Sequence, residues 1–165
     1  MEISIRPYKE TDTQAILEVI NFNILNSTAL YDYNIRTLEQ QTGMQKEKTD
    51  KNFPVIVAIL DEKVVGFGYY GDFRFREAYK YTVEHSVYVD KDFQGMKIGH
   101  LLMEELIKLA KKQKLHTMIG VIDAENQGSV QFHEKYGFKT VGIIKESGYK
   151  FDRWLDSVFM QLILK

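Results

Sequence analysis

The amino-acid sequence predicts an α/β (α+β) fold whose mixed, mostly antiparallel sheet contains one parallel pair of strands. Residues 82–89 are rich in β-branched and aromatic side chains, and Ile98, Leu101, Leu102, Leu106 and Leu109 then recur at helical spacing, giving strand, turn and amphipathic helix. Residues 117–122 follow as a short apolar run, and a strand, crossover helix and strand in that order make the two strands parallel. Residues 54–60 and 64–70 flank the turn Asp61-Glu-Lys63 and read as an antiparallel hairpin.

Taken in order, residues 3–6 form a short strand ended by Pro7, and Thr11 or Asp12 caps a helix carrying Ala15, Ile16, Val19 and Ile20 to about Leu25. A polar and aromatic loop covers 26–33. Thr37 caps a second, weakly amphipathic helix from Leu38 to about Lys48, expected to be interrupted near Gly43. Along the central strand, alternation puts Val83, His85, Val87 and Val89 on one face and Glu84, Ser86 and Tyr88 on the other. After 123–126 a further helix runs to Tyr136, and 137–144 and about 154–164 close the chain as two antiparallel strands.

The chain's 165 residues suit one domain, 1–165, with a substantial core. Lysine and arginine number 22 against 23 acidic residues, so a net charge of −1 provides no global field for nucleic acid or an anionic membrane. With no cysteine, disulfides, a thiol nucleophile and thiolate metal sites are excluded, and no metal is expected. The start lacks the apolar run of a signal peptide and no stretch approaches the roughly 20 apolar residues of a membrane span, so the expectation is a cytoplasmic protein.

Gln94-Gly-Met-Lys-Ile-Gly99 sets two glycines where the strand end meets the helix start, so bare amide N–H groups and the positive end of the helix dipole point outward together. A lone glycine pair would serve turn geometry only. This stretch, however, resembles the acyl-CoA-binding motif of the GNAT N-acetyltransferases, Gln/Arg-x-x-Gly-x-Gly/Ala after a strand: Gln94 and Gly99 match, and Lys97 stands where the pattern has its central glycine. The likeness covers nearly the whole chain, from Ile5-Arg-Pro-Tyr8 to Met160-Gln161. Residues 82–89, Asn126 with Ser129, 133–138 and 148–156 look like the phosphinothricin and methionine sulfoximine N-acetyltransferase branch.

The resemblance implies helices on both faces of the sheet and the parallel pair at the CoA site. It implies acetyl-CoA as co-substrate, held by Val87, Tyr88, Val89, Gln94, Gly95, Met96, Lys97, Ile98, Gly99 and His100, with Asn126 and Ser129 toward the pantetheine arm. Asn126 also suits the N-cap of the helix after it. Glu84 matches the branch's catalytic glutamate; an arbitrary strand glutamate would be a salt-bridge partner, but a carboxylate here can take the proton from a substrate ammonium. His133 occupies the position where the wider superfamily has a tyrosine that protonates the leaving thiolate, and Tyr136 is a second candidate donor.

Arg74 and Arg76 lie two apart and project to one side if the chain stays extended; planar guanidinium forks suit carboxylates, and the branch carries two arginines here for an amino acid's carboxylate. Tyr31 resembles the aromatic lining the side-chain pocket, and equally suits a core position. The function implied is acetyl-CoA-dependent N-acetylation of the α-amino group of a small amino acid or analogue such as phosphinothricin, methionine sulfoximine or methionine sulfone. Transfer would be direct in a ternary complex, with amides near Val87 stabilising the oxyanion. The rivals are a peptide N-terminal or polyamine acetyltransferase and a CoA-binding module without turnover. Members of the branch are commonly homodimers, which makes a homodimer the expected assembly.

Overall fold

A computed structural model describes residues 2–165. Its elements are β1 (Ser4–Pro7), α1 (Thr13–Asn26), α2 (Leu38–Asp50), β2 (Val55–Leu60), β3 (Lys63–Asp72), β4 (Thr82–Val89), α3 (Ile98–Lys112), β5 (Thr117–Asp123), α4 (Gln127–Glu134), β6 (Lys139–Lys150) and β7 (Arg153–Ile163). They build a seven-stranded sheet in the order β1-β2-β3-β4-β5-β7-β6. β4 and β5 run parallel and the other neighbours antiparallel, as the sequence predicts.

Apolar side chains pack on both faces. Between α3 and the sheet pack Ile98, Leu102, Met103 and Leu106 of the helix with Ile56, Val65 and Val83; between α1 and the other face pack Ile16, Val19 and Ile20 with Val57, Phe67 and Tyr88. The predicted alternation of β4 is therefore realised, with Val83 in one core and Tyr88 in the other. Leu102, Met103 and Leu106 are fully buried, each stabilising the fold by roughly 1.5–3 kcal/mol relative to exposure. Gly66 lets α3 lie close on β3: a Cβ there would sit 2.9 Å from the Tyr88 carbonyl oxygen and 3.0 Å from Ile98 Cγ2. That close contact fixes the start of α3 against the end of β4.

Several boundaries differ from those expected. The hairpin turn has two residues, Asp61 and Glu62, both with positive φ, the geometry that matches strand twist, so Lys63 belongs to β3. Pro7 is the last residue of β1 rather than the stop after it, tolerated because β1 is an edge strand. α2 is not interrupted at Gly43. It starts at a reciprocal capping box between Thr37 and Gln40, a Cβ at Gly43 would meet nothing within 4 Å, and the inward face is carried by buried Gln41 and Gln45. α4 ends at Glu134, short of Tyr136, and β6 extends to Lys150. None of the described helices is long and apolar enough to cross a membrane.

Candidate active site

The parallel ladder is short. Thr82 pairs with Thr117, Val83 with Met118 and Glu84 with Ile119, and beyond Glu84 the strands diverge although β4 continues to Val89. Into the opening between His85–Tyr88 and Gly120–Asp123 fits a central cleft of about 310 Å³, roofed by Thr28–Tyr31. A second cleft continues from it along the start of α3, and a third lies on the α2 side; Glu84 and Ser86 line both the central and the third cleft. The three form one path, with Glu84 where two of them meet.

The second cleft gathers most residues assigned to the cofactor: Val87, Val89, Gln94, Gly95, Lys97, Ile98, Gly99, His100, Asn126 and Ser129. Gly95 (φ 80°) and Lys97 (φ 62°) are both left-handed, and Lys97 is the N-cap of α3 with no side-chain cap bond, so no side chain occupies the first-turn amides. Lys97 adopts a conformation that costs a non-glycine residue about 1–2 kcal/mol. A Cβ at Gly99 would lie 3.7 Å from the Phe132 ring and 3.8 Å from Val89, ordinary contact distances. Asn126 Oδ1 accepts the Ser129 N–H at 3.1 Å, confirming the N-cap and leaving its amide protons for other partners. Turn, uncapped helix start and cleft thus fit a pyrophosphate. Met96 is outside this lining and 43% exposed, and Tyr88 lines the central cleft instead, stacked on Phe67 at 5.2 Å.

Glu84 is partly buried. Burial raises its carboxyl pKa above the ordinary range, and the Arg74 guanidinium pulls in the opposite direction. Arg74 lines the third cleft beside it. Arg76 does not join them. The chain bends between Phe73 and Arg76 instead of staying extended, and Arg76, exposed, lies over the Phe75 ring at 5.1 Å and lines none of the three clefts. Extension was the condition for the two arginines to act together, and the bend removes it within one chain.

His133 lines both the central and the second cleft. Its Nδ1 is 2.6 Å from the Ser129 carbonyl oxygen and its Nε2 is 3.0 Å from His85 Nε2, and burial lowers its pKa. Tyr136 is turned away: its hydroxyl is 2.6 Å from His100 Nδ1, and it lines none of the three clefts. Tyr31 lines the central cleft, is 38% exposed and so is no core filler. A Cβ at Gly148 would lie 2.7 Å from its ring.

Two lysines were not anticipated. Lys48 of α2 lines the third cleft with its Nζ 4.6 Å from the Tyr69 ring centre, and burial lowers its pKa. No pattern marks it, because the helix carrying it is only weakly amphipathic. Lys150 is 3% exposed and donates to the carbonyls of Ser27 (2.7 Å) and Leu30 (2.6 Å), pinning the loop that roofs the central cleft. Among the described residues no group of three His, Asp or Glu side chains is arranged to hold a metal.

Comparison with known proteins agrees with this geometry. Residues 5–159 match the family described as an acetyltransferase (GNAT) domain. The chain is 36% identical to the L-methionine sulfoximine/L-methionine sulfone acetyltransferase of Pseudomonas aeruginosa over 99% of this chain and 96% of that one. It is 31% identical, with a TM-score of 0.96, to a phosphinothricin acetyltransferase from Sinorhizobium meliloti solved in complex with acetyl-CoA, covering 99% of this chain and 89% of that one. A structure titled ribosomal-protein-alanine N-acetyltransferase, from Brucella melitensis, is 38% identical with a TM-score of 0.96, covering 98% and 99%. With a short parallel ladder opening beyond Glu84, an uncapped helix start beside the opening and these relatives, the chain belongs to the GNAT acetyltransferase family.

Proposed function

We propose that this protein transfers an acetyl group from acetyl-CoA directly to the α-amino group of a small amino acid or analogue of the methionine sulfone or phosphinothricin type. The observation that carries this reading is the shared cleft of Glu84 and Arg74: a carboxylate for the ammonium and a guanidinium for the carboxylate, as an α-amino acid requires. Acetyl-CoA supplies the acyl group as an activated thioester. Glu84, its pKa raised by burial, takes the proton from the substrate ammonium and frees the lone pair. The Val87 end of β4 offers backbone N–H groups to the developing oxyanion. The leaving sulfur has two candidate proton donors, His133 and water.

The cleft's charges balance, Lys48, Lys51 and Arg74 against Glu47, Asp72 and Glu84, with Lys51 paired to Glu47 and Asp72. It is therefore the Arg74 guanidinium beside Glu84, rather than net charge, that favours an amino acid over a polyamine. The peptide alternative is named by the Brucella structure's title, but a peptide terminus has no α-carboxylate for Arg74. Homodimer formation is supported by Val141, Ile143, Ile144 and Trp154, each more than half exposed on the β6–β7 pair.

The test is an amine panel assayed by thiol release. Methionine sulfone and phosphinothricin should outperform their decarboxylated amines, and Arg74→Ala should lower kcat/KM for the amino acids by about one to two orders of magnitude, the worth of a charge-assisted hydrogen bond. Arg76→Ala should cost less. Decarboxylated amines or peptide amino termini as the better substrates, indifferent to Arg74→Ala, would overturn the reading.

A further inference from the structure

His85 and His133 face each other through their Nε2 atoms at 3.0 Å, with ring centres 5.0 Å apart, in a buried position where a Cβ on Gly120 would crowd both at 3.1 Å. Their protons are fixed by what surrounds them. The partner of His133 Nδ1 is the Ser129 carbonyl oxygen, which can only accept, so that nitrogen carries the hydrogen. In the neutral ring His133 Nε2 is then a bare lone pair, and the contact with His85 requires His85 Nε2 to donate. This leaves His85 Nδ1 as the remaining lone pair, and it is buried without a hydrogen-bond partner among the described residues. The opposite order would set the bare His133 Nδ1 lone pair against the Ser129 carbonyl oxygen and leave a buried His85 Nδ1–H without an acceptor.

We propose that His85 is a positioning residue that covers the Nε2 lone pair of His133, holding the ring as an inert wall of the acyl-CoA cleft and preventing amine-independent loss of the acetyl group. The inference rests on reading the second cleft as the acyl-CoA site. His133 lines that cleft and the central one, where an uncovered imidazole beside a thioester would be a nucleophile or a general base toward water. As base, it would take a proton from water while the hydroxide oxygen bonds to the acyl carbon and the carbon–sulfur bond breaks. Acetic acid and the CoA thiol would then leave, the thiolate recovering the proton from the imidazolium and the acid giving its own to solvent. A covered Nε2 does neither, and a ring whose only hydrogen is committed to Ser129 has none for the leaving sulfur. In the resting pair, water is therefore the proton source for the thiolate.

The experiment measures thiol release from acetyl-CoA with no amine present, alongside calorimetric binding of CoA. His85→Leu should raise amine-independent release by about tenfold or more, up to the 10²–10⁴-fold that a well-placed general base contributes. The double variant His85→Leu/His133→Leu should return it to the wild-type level. His85→Gln, whose Nε2 can still donate to His133, should stay near wild type in release and in amine-dependent kcat. Long-range proton–nitrogen NMR of the wild type should show His133 in the Nδ1–H form and His85 in the Nε2–H form. The proposal is overturned if folded His85→Leu releases no more thiol than wild type, if the double variant releases as much as the single one, or if His133 carries its hydrogen on Nε2. The last reading decides the matter even where His85→Leu does not fold. Loss of CoA binding by the wild type would instead defeat the acyl-CoA reading itself.

Discussion

Gly71 stands directly opposite Glu84 in the β3–β4 ladder, and a Cβ on it would come within 3.9 Å of the Lys48 side-chain tip. Cross-strand neighbours share a face, so the missing side chain leaves open the space between the candidate base and a cation. Gly71→Val should fill that space. Expected is a rise in KM for the amine of about tenfold, the cost of displacing or clashing with one well-placed substrate group, with CoA affinity unchanged by calorimetry.

The activity limb controlled by Glu84 should lie above the ordinary carboxylate range, because burial is the larger influence on its pKa and Arg74 the smaller, opposing one. The sign follows directly: the base works when ionised, so kcat/KM rises with pH through the Glu84 pKa. Removing Arg74 removes the opposing influence and should move the limb to higher pH. Glu84→Gln should lower turnover by about 10²–10⁴-fold and lose the limb. A pH profile of Arg74→Ala unchanged in position would show that the two groups do not interact.

Lys97 holds a left-handed backbone at the N-cap of α3. Lys97→Gly relieves that conformation while adding freedom to the unfolded chain, so the two changes should offset and stability should stay within about 1 kcal/mol of wild type. Lys97→Val should be less stable by about 1–2 kcal/mol, since a β-branched residue tolerates positive φ poorly. Urea melts decide both. CoA affinity of Lys97→Gly should fall, with a deficit that shrinks at high salt because a surface charge is screened.

Lys150 supplies the hydrogens for two loop carbonyls, those of Ser27 and Leu30. Lys150→Met keeps the length of the side chain but leaves both oxygens unpaired, a cost of about 1–3 kcal/mol. Chemical denaturation should show the loss. KM for the amine should rise as well, because the Thr28–Tyr31 roof loses the two hydrogen bonds by which Lys150 holds it to β6.

Residues whose local chemistry agrees with their global role were readable from sequence. The Thr37 cap, the Asn126 cap, the two faces of β4 and the amphipathic α3 all appear where periodicity and capping rules put them. The break expected at Gly43 was misread because the inner face of α2 is made of glutamines, which hydrophobic patterning does not count. The shared direction of Arg74 and Arg76 was conditional on an extended chain, and the bend between them is something their own residue types do not signal. The alternation that puts His85 on the Val83 face of β4 is legible, but its partner lies 48 positions away and only the folded chain brings the two rings together.

β4 ends its pairing with β5 at Glu84 and still runs five residues further. On the side turned toward β5, those residues present backbone groups that no strand satisfies, so the native sheet is locally unfinished. A ligand bearing amide groups can complete it as an added strand would. The folded state is then richer in hydrogen bonds when loaded than when empty, and thermal stability becomes a readout of occupancy: Tm should climb with ligand concentration well past saturation, as mass action requires when only the native chain binds.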